Sequence, residues 1–536
     1  MHRRHFLKQV STVSAASLAM AALPKSTAAQ DSAENRTAGR NHGEKTWVFW
    51  DLWHLDRMSN LALRQGKPRW RSEATYVDPL MFGHNSWPTV YRDPSSQRWR
   101  MLYSISWKPF QLMLAESEDG IHWQPAPQPE IQPEGKKVAP HHLFTLPDGS
   151  AGGVYLDPVA RDGLPFKAYA HQNGEPVLKR ALADPRHRWH QIAREEGNKR
   201  YLHDELTLVS ADGLNWEARP KLNWGLPDWH PEPPIFGFYD AGRVRHAMTV
   251  RPGWGDRRVC LQSTGDFEDW SGPELLFQPD ALDDALIQHY GMPVFPYAGG
   301  YVGLLWMFHC SDVGPLAAFN QFEGPIDVQL CYSYDGQRFF RGLREPFIPL
   351  NPPGEHGCSG IQSSSLVETD DELRIYSGAG KVLHGMSGRT RNSRQRELFG
   401  ITQHVLRKDG FMYLEPKGDR GEFLSKPLAL FDDNLTVNAE ATFGEAKFQL
   451  TDLESRPIEG FTFADSMGLH EADSVAYPLK WRGGDLRDLR NKVVRLEAEL
   501  RNARLYAVRG KFHFLDAQDR WMLEDGKAID PTLLDF

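Results

Sequence analysis

Five short segments of this chain read as copies of one unit. Ser117-Glu-Asp119-Gly120-Ile-His-Trp123 fits the pattern S-x-D-G-x-x-W, and Ser210-Ala-Asp212-Gly213-Leu-Asn-Trp216 fits it again. Ser333-Tyr-Asp335-Gly336-Gln-Arg-Phe339 ends on another aromatic, Ser263-Thr-Gly-Asp266-Phe-Glu-Asp-Trp270 is a looser copy, and Arg407-Lys-Asp409-Gly410-Phe-Met-Tyr413 is the loosest. A strand-like run, an Asp-Gly turn and an aromatic that restarts a strand make a hairpin signal. Repeated five times, the signal predicts a radial array of small sheets, a five-bladed β-propeller. The copies lie further apart than an ordinary blade of about 40–45 residues. Long loops must therefore separate the strands, and such loops are where a binding pocket is built.

If each Asp-Gly turn joins the third and fourth strands of a blade, the two strands before it can be read. Trp87–Val90 and Trp99–Tyr103 flank a turn at Asp93-Pro94, and Gly153–Leu156 and Phe166–Ala170 flank one at Asp157-Pro158. Pro234–Phe236 pairs with Val244–Val250 around Asp240–Gly242, Met292–Phe295 with Tyr301–Met307 around Ala298–Gly300, and Ile361–Val367 with Leu373–Tyr376 around Asp370-Asp371. Beyond residue 420 the pattern changes to strands at Leu435–Ala439, Lys447–Leu450, Val475–Leu479, Val493–Leu500 and Leu505–Val508. The alternation along Val494–Leu500 marks a half-buried strand. The expected fold is all-β: a five-bladed β-propeller over residues 45–415, followed by a C-terminal β-sandwich over 420–536.

The 536 residues are enough for two or three domains, and Trp 17, Tyr 16 and Phe 28 suit both an all-β core and a sugar site. A net charge of -8 without a basic stripe gives no case for nucleic acid, and no apolar run is long enough to span a bilayer. At the N-terminus, Arg3-Arg4-His-Phe6-Leu7-Lys8 precedes a weakly apolar stretch, Val10–Leu23, and the small residues Ser26–Ala29. That order resembles a twin-arginine export signal over 1–29, with a polar linker over 30–44, and implies a periplasmic or secreted protein. Cys260, Cys310, Cys331 and Cys358 show no metal spacing and are expected to act mostly as small buried hydrophobes.

A five-bladed propeller followed by a sandwich resembles glycoside hydrolase family 32 and its relatives. Trp99-Arg-Met-Leu-Tyr103 and Ser117–Trp123 look like the repeating blade of that family and of family 43. The resemblance covers most of residues 45–536 as architecture and implies a divergent member. The W-M-N-D-P-N-G opening of family 32 is absent, and Arg92-Asp93-Pro94 imitates its R-D-P motif in the wrong place. Fold analogy alone does not fix a reaction.

Propeller topology sorts the carboxylates by face. The turn between the first and second strands of a blade lies away from the pocket, so Asp93, Asp157, Asp240 and Asp370 read as turn formers. Glu232, in His230-Pro-Glu232-Pro-Pro-Ile-Phe, precedes the innermost strand of blade three, on the pocket face. In relatives with a D-P-S-V-like blade opening that position carries a catalytic carboxylate. Aromatic neighbours would raise its pKa, as a general acid needs. Glycoside hydrolysis takes a second carboxylate. Asp51, in Phe49–His54, and Asp327, which starts the third strand of blade four, are the candidates.

Histidines gather on the same expected face. His84 (beside Asn85), His142, His230 and His289 precede first strands, and His171, His309 and His384 follow second strands. They suit bonds to sugar hydroxyls. Trp107 and Trp254 would stack on sugar rings, and Arg251 would bind a uronate carboxylate or a sulfate. No zinc-type spacing appears, so no cofactor is called for, while a metal ion in the channel stays open. The residues point to an exported glycoside hydrolase with Glu232 as general acid and Asp51 or Asp327 as base or nucleophile. A non-catalytic glycan-binding propeller and a polysaccharide lyase built on His289-Tyr290 and Arg251 remain as alternatives. The partner is a carbohydrate, and the sequence sets no oligomeric state.

Overall fold

In the computed structural model the three strict copies of the repeat fold alike. Ser117 Oγ donates to Asp119 Oδ1 at 2.9 Å and accepts the Gly120 N–H at 3.0 Å, while Asp119 Oδ1 takes the N–H groups of Ile121 and His122 at 2.8 and 2.9 Å. The same bonds recur at Ser210–Asn215 and Ser333–Arg338. Gly120, Gly213 and Gly336 stand at φ of +70, +76 and +69, the left-handed region that favours glycine. The looser copy makes these bonds one residue further on. Thr264 Oγ1, not Ser263, donates to Asp266 at 3.0 Å, and Phe267 takes the glycine position at φ 65. Its ring packs 4.2 Å from His246 and 6.1 Å from Tyr169, contacts that offset the strain. The fifth copy is a different structure. Its buried Asp409 accepts the Tyr297 hydroxyl at 2.7 Å and Asn438 Nδ2 at 2.9 Å and pairs with Arg509, so it ties the last blade to the following domain.

The structure describes residues 44–517 except 84, 107, 198–201, 221–230, 253–256, 268, 311–322 and 385–396, together with 519, 521 and 525. The export-like segment lies outside them. Blade one consists of Thr89–Arg92, Trp99–Ser106, Phe110–Ser117 and Gln124–Pro125. Blade two has an interrupted inner strand, Gly149–Ala151 with Tyr155–Leu156, then Phe166–Asn173, His203–Ser210 and Glu217–Pro220. Blade three consists of Pro231–Asp240, Arg245–Pro252, Val259–Thr264 and Glu274–Phe277. Blade four consists of Ile287–Gly291 with Val294–Tyr297, then Gly300–His309, Ile326–Ser333 and Phe340–Ile348. Blade five consists of Gly360–Glu368, Glu372–Gly380, Phe399–Arg407 and, from the front of the chain, Arg69–Tyr76.

That last strand corrects the expected layout. Met412–Pro416, which the repeats place as the fourth strand of blade five, pairs instead with Leu61–Gln65 in the final sheet. Lys45–Val48 pairs with Arg504–Phe514, and Leu55–Ser59 with Gly421–Ser425, so residues 45–65 join the sandwich rather than the propeller. A ring of sheets must close its first blade on its last. A strand taken from the other end of the sequence does this with backbone hydrogen bonds and leaves no open edge there.

In the sandwich, one long strand, Leu428–Thr451, serves both layers. It pairs with Arg504–Phe514 along its first half, with Leu469–Pro478 across its middle and with Val493–Arg501 at both ends, and exposed Phe443 lies where the register shifts between Ala441 and Glu445. Val437, Phe448, Leu450, Leu496, Leu500 and Val508 fill the space between the layers. Val494, Leu496, Ala498 and Leu500 are buried as the alternation requires. Cys260, Cys310 and Cys331 are buried and Cys358 is half-buried.

The hairpin aspartates hold the face away from the pocket. Asp93 Oδ2 accepts Ser95 Oγ at 2.8 Å and Ser96 Oγ at 2.6 Å. Burial works to raise its pKa, but the bonds from Ser96 and Ser95 and the nearby Arg100 outweigh it and hold it at about 2. Asp157 takes Lys167 Nζ at 2.6 Å, and Asp240 takes the Tyr301 hydroxyl at 2.9 Å, linking blade three to blade four.

Candidate active site

Glu232 and Arg251 are cross-strand partners where the first two strands of blade three reach the pocket face. The two prolines after Glu232 offer no N–H, and the pairing is interrupted from Glu232 to Phe236. Arg251 Nη2 donates to Glu232 Oε2 at 2.7 Å. The Glu232 side chain is 39% exposed and that of Arg251 7%. The immediate neighbour of this carboxylate is thus a guanidinium rather than the aromatic wall expected from sequence.

Arg251 lies over the ring of Tyr290, 5.0 Å from its centroid, and Arg257 lies 5.1 Å from the same ring. The Tyr290 hydroxyl is 2.8 Å from His384 Nε2. Tyr290 stacks on Trp306 at 6.3 Å, and Trp306 packs against Phe236 at 5.3 Å and Trp87 at 6.4 Å. Trp87 Nε1 is satisfied by Gln362 Oε1 at 2.8 Å. Buried aromatics from blades one, three and four therefore form a layer beneath the polar cluster.

A second pair stands in blade four. His309 Nε2 lies 3.1 Å from Asp327 Oδ2. Asp327 raises the pKa of His309 above its ordinary value, against the opposing effect of burial. His309 can therefore hold a proton to higher pH than a free imidazole. Phe308 packs on His384 at 4.8 Å, and Gly324 bridges to His384. His309 and Asp327 lie next along their strands to the paired Phe308 and Ile326, so they face the other side of this sheet.

Of the residues singled out by sequence, Glu232, Arg251, His384, His309 and Asp327 come to this face. Asn85 is half-buried just before the innermost strand of blade one. His84, Trp107, His230 and Trp254 lie outside the described residues. His171 belongs to blade two, where Ser150 Oγ is 3.0 Å from its Nδ1. His142 is fully buried at the start of a strand, His142–Leu146, that pairs with Phe110–Ser117 of blade one, and it is bonded within that strand, to Phe144 O at 3.0 Å.

Two placements need correction. Asp51 accepts the hydroxyls of Tyr332 and Tyr334, each at 3.0 Å. These tyrosines stand at the end of the strand Ile326–Ser333, whereas Asp327 stands at its start, and strand rise separates Tyr332 from Asp327 by about 17 Å. Asp51 follows a strand of the sandwich and is carried to the far face with it. His289 is fully buried and points toward Asp283, 3.8 Å away, with burial and Arg341 lowering its pKa to about 4. Neighbouring residues of a strand face opposite ways, so Tyr290 meets His384 and His289 does not.

The starts of third strands carry residues that sequence reasoning passed over. Arg257 stands just before that of blade three. Glu205 lies in that of blade two, opposite His171, with burial pushing its carboxyl up to about 7 against Arg188, 2.6 Å away. Arg188 belongs to an insertion containing the helices Glu175–Ala183 and His190–Glu196, which Arg180 also anchors to Asp204 at 2.9 Å. The rule that selected Asp327 would have found both. Among the described residues no group of three or more His, Cys, Asp or Glu side chains is placed to hold a metal ion, and no helix is long and apolar enough to cross a membrane.

No family model matches this sequence, and no curated protein matches it. Solved structures do match. An N-acetylgalactosamine deacetylase from F. plautii, in complex with blood group B trisaccharide, shares 13% identity over 65% of this chain and 96% of its own, with a TM-score of 0.40. A thermostable family-43 glycoside hydrolase shares 14% identity over 64% of this chain and 96% of its own, at 0.38. A Bombyx mori GH32 β-fructofuranosidase shares 10% over 91% of this chain and 99% of its own, at 0.35. Several of the matched proteins are thus glycoside hydrolases. The blade count and the residue placements above rest on strand pairing and side-chain geometry alone.

Proposed function

We propose that the protein is an exported glycoside hydrolase acting on a polysaccharide or oligosaccharide. The observation that carries this reading is a pair of carboxylates at the strand starts of adjoining blades, each with its own basic partner. Glu232 is held by Arg251 at 2.7 Å, and Asp327 lies 3.1 Å from His309. In this reading Glu232 donates the proton to the leaving oxygen, and Asp327 acts as base or nucleophile. His309, His384 and Tyr290 bind sugar hydroxyls above the aromatic layer. General acid catalysis contributes about 10²–10⁴-fold. Glu232→Gln is expected to lose activity on that scale toward a natural glycan and to retain it toward an aryl glycoside with a good leaving group. Equal and small losses on both substrates would remove Glu232 from the mechanism and favour a glycan-binding module.

One arrangement supports a second reading. Tyr290, bonded to His384 and lying under Arg251, is what a polysaccharide lyase needs: a base beside a cation that neutralises a uronate.

A further inference from the structure

We propose that Arg251 and Arg257 form a subsite for an oxyanion carried on a sugar ring, a uronate carboxylate or a sulfate ester, and that this anion takes Arg251 over from Glu232. The inference rests on the carbohydrate reading above and names the substrate class for that same site.

Arg251 and Arg257 are only 6% and 5% exposed, yet both lie within 5.0–5.1 Å of the centroid of Tyr290. Two guanidinium groups gathered on one ring repel each other, and burial removes the water that would screen them. Burial lowers the pKa of Arg257, and the charge of Arg251 adds to the effect. Arg257 Nη1 donates to the neutral amide of Gln288 at 2.7 Å. Arg251 spends Nη2 on Glu232, while its Nη1 is buried with no hydrogen-bond partner among the described residues. A buried, unpaired, charged donor is costly, and natural structures keep few of them. An oxyanion with two acceptor oxygens, carboxylate or sulfate, answers both features, because it adds the missing negative charge and accepts two N–H bonds from the guanidinium fork. A neutral sugar hydroxyl supplies no charge.

Glu232 is the solvent-accessible member of the set: its side chain is 39% exposed while that of Arg251 is 7%. Once the substrate anion occupies Arg251, Glu232 loses its 2.7 Å bond to that guanidinium. Binding of an acidic sugar thus frees Glu232 from Arg251, and a neutral sugar leaves it paired.

The test is an array of uronate-bearing, sulfated and neutral oligosaccharides probed with wild type, Arg251→Met, Arg251→Lys and Arg257→Met. Retained ligands are then titrated at two salt concentrations and assayed for cleavage. Retention confined to anionic glycans, weakened by salt and at least about 10-fold by each Met variant, is the expected result. Uronate and sulfate arms separate the two oxyanions. Arg251→Lys keeps the charge and loses the fork, so it should fall between wild type and Met. A melting curve for each variant separates misfolding from lost contacts, and the salt dependence of wild type needs no variant. Neutral glycans retained and cleaved as well as anionic ones would overturn the subsite and leave the hydrolase reading standing. Failure to retain any glycan would count against both.

Discussion

The Tyr290 hydroxyl stands 2.8 Å from Nε2 of His384, so a side chain from the first strand of blade four meets one that follows the second strand of blade five. The pair separates the two chemistries open to this site. If Tyr290 only orients the sugar, Tyr290→Phe loses one hydrogen bond, worth about 0.5–1.5 kcal/mol or roughly 10-fold in kcat/KM at most. If Tyr290 abstracts a proton in an elimination, the loss is about 10²–10⁴-fold. Rate measurements on this variant, with a search for unsaturated uronate in the product, read the difference. The hydrolase reading expects the smaller loss and no unsaturated sugar.

The looser repeat yields a stability prediction. Thr264 Oγ1 donates to Asp266 at 3.0 Å and accepts the Phe267 N–H at 3.1 Å. Thr264→Val keeps the shape and removes both bonds, and is expected to cost about 1–2 kcal/mol. Thr264→Ser should be near neutral. Ser263→Ala, which touches none of the turn bonds, should cost less than Thr264→Val. Denaturant midpoints would check the order, and a larger cost at Ser263 would restore the register read from sequence.

Glu205 makes stability depend on pH. Burial raises its carboxyl to about 7 in the folded chain, despite Arg188 beside it. Unfolded, it would titrate near 4.3. Between these values the folded chain keeps a proton that the unfolded chain has released, so this group lowers stability as pH rises through the window. The whole effect is on the order of 3 kcal/mol. Glu205→Gln removes the titration, and its denaturant midpoint should fall less than that of wild type from pH 5 to pH 8. An unchanged slope would mean that Glu205 titrates normally.

Export is testable at Arg3 and Arg4. Replacing both by Lys keeps the charge and removes the paired arginines of the signal-like segment. Mature protein in the periplasmic or secreted fraction should drop sharply, and unchanged export would discard the twin-arginine assignment.

Local chemistry in this chain was legible from its order of residues. An Asp that caps the turn it sits in, a glycine at positive φ and an alternating strand each depend on neighbours a few residues away. The three strict Asp-Gly turns, the inner hairpins and the buried face of Val494–Leu500 were therefore readable in one dimension. The position of Glu232 at a strand start is also a local property, and so is the placement of His309 and His384 after second strands. Three-dimensional structure alone decided which distant segments meet. Arg69–Tyr76 closes blade five because the ring must end on its own beginning, and no residue near position 70 announces a partner near 400. The same long-range pairing takes residues 45–65 into the sandwich and carries Asp51 to the far face. Strand pleat turns Tyr290 toward His384 and His289 away. The gathering of Arg251 and Arg257 on one ring arises where blades three and four pack together, a contact set by side-chain shape across the interface rather than by any spacing along the chain.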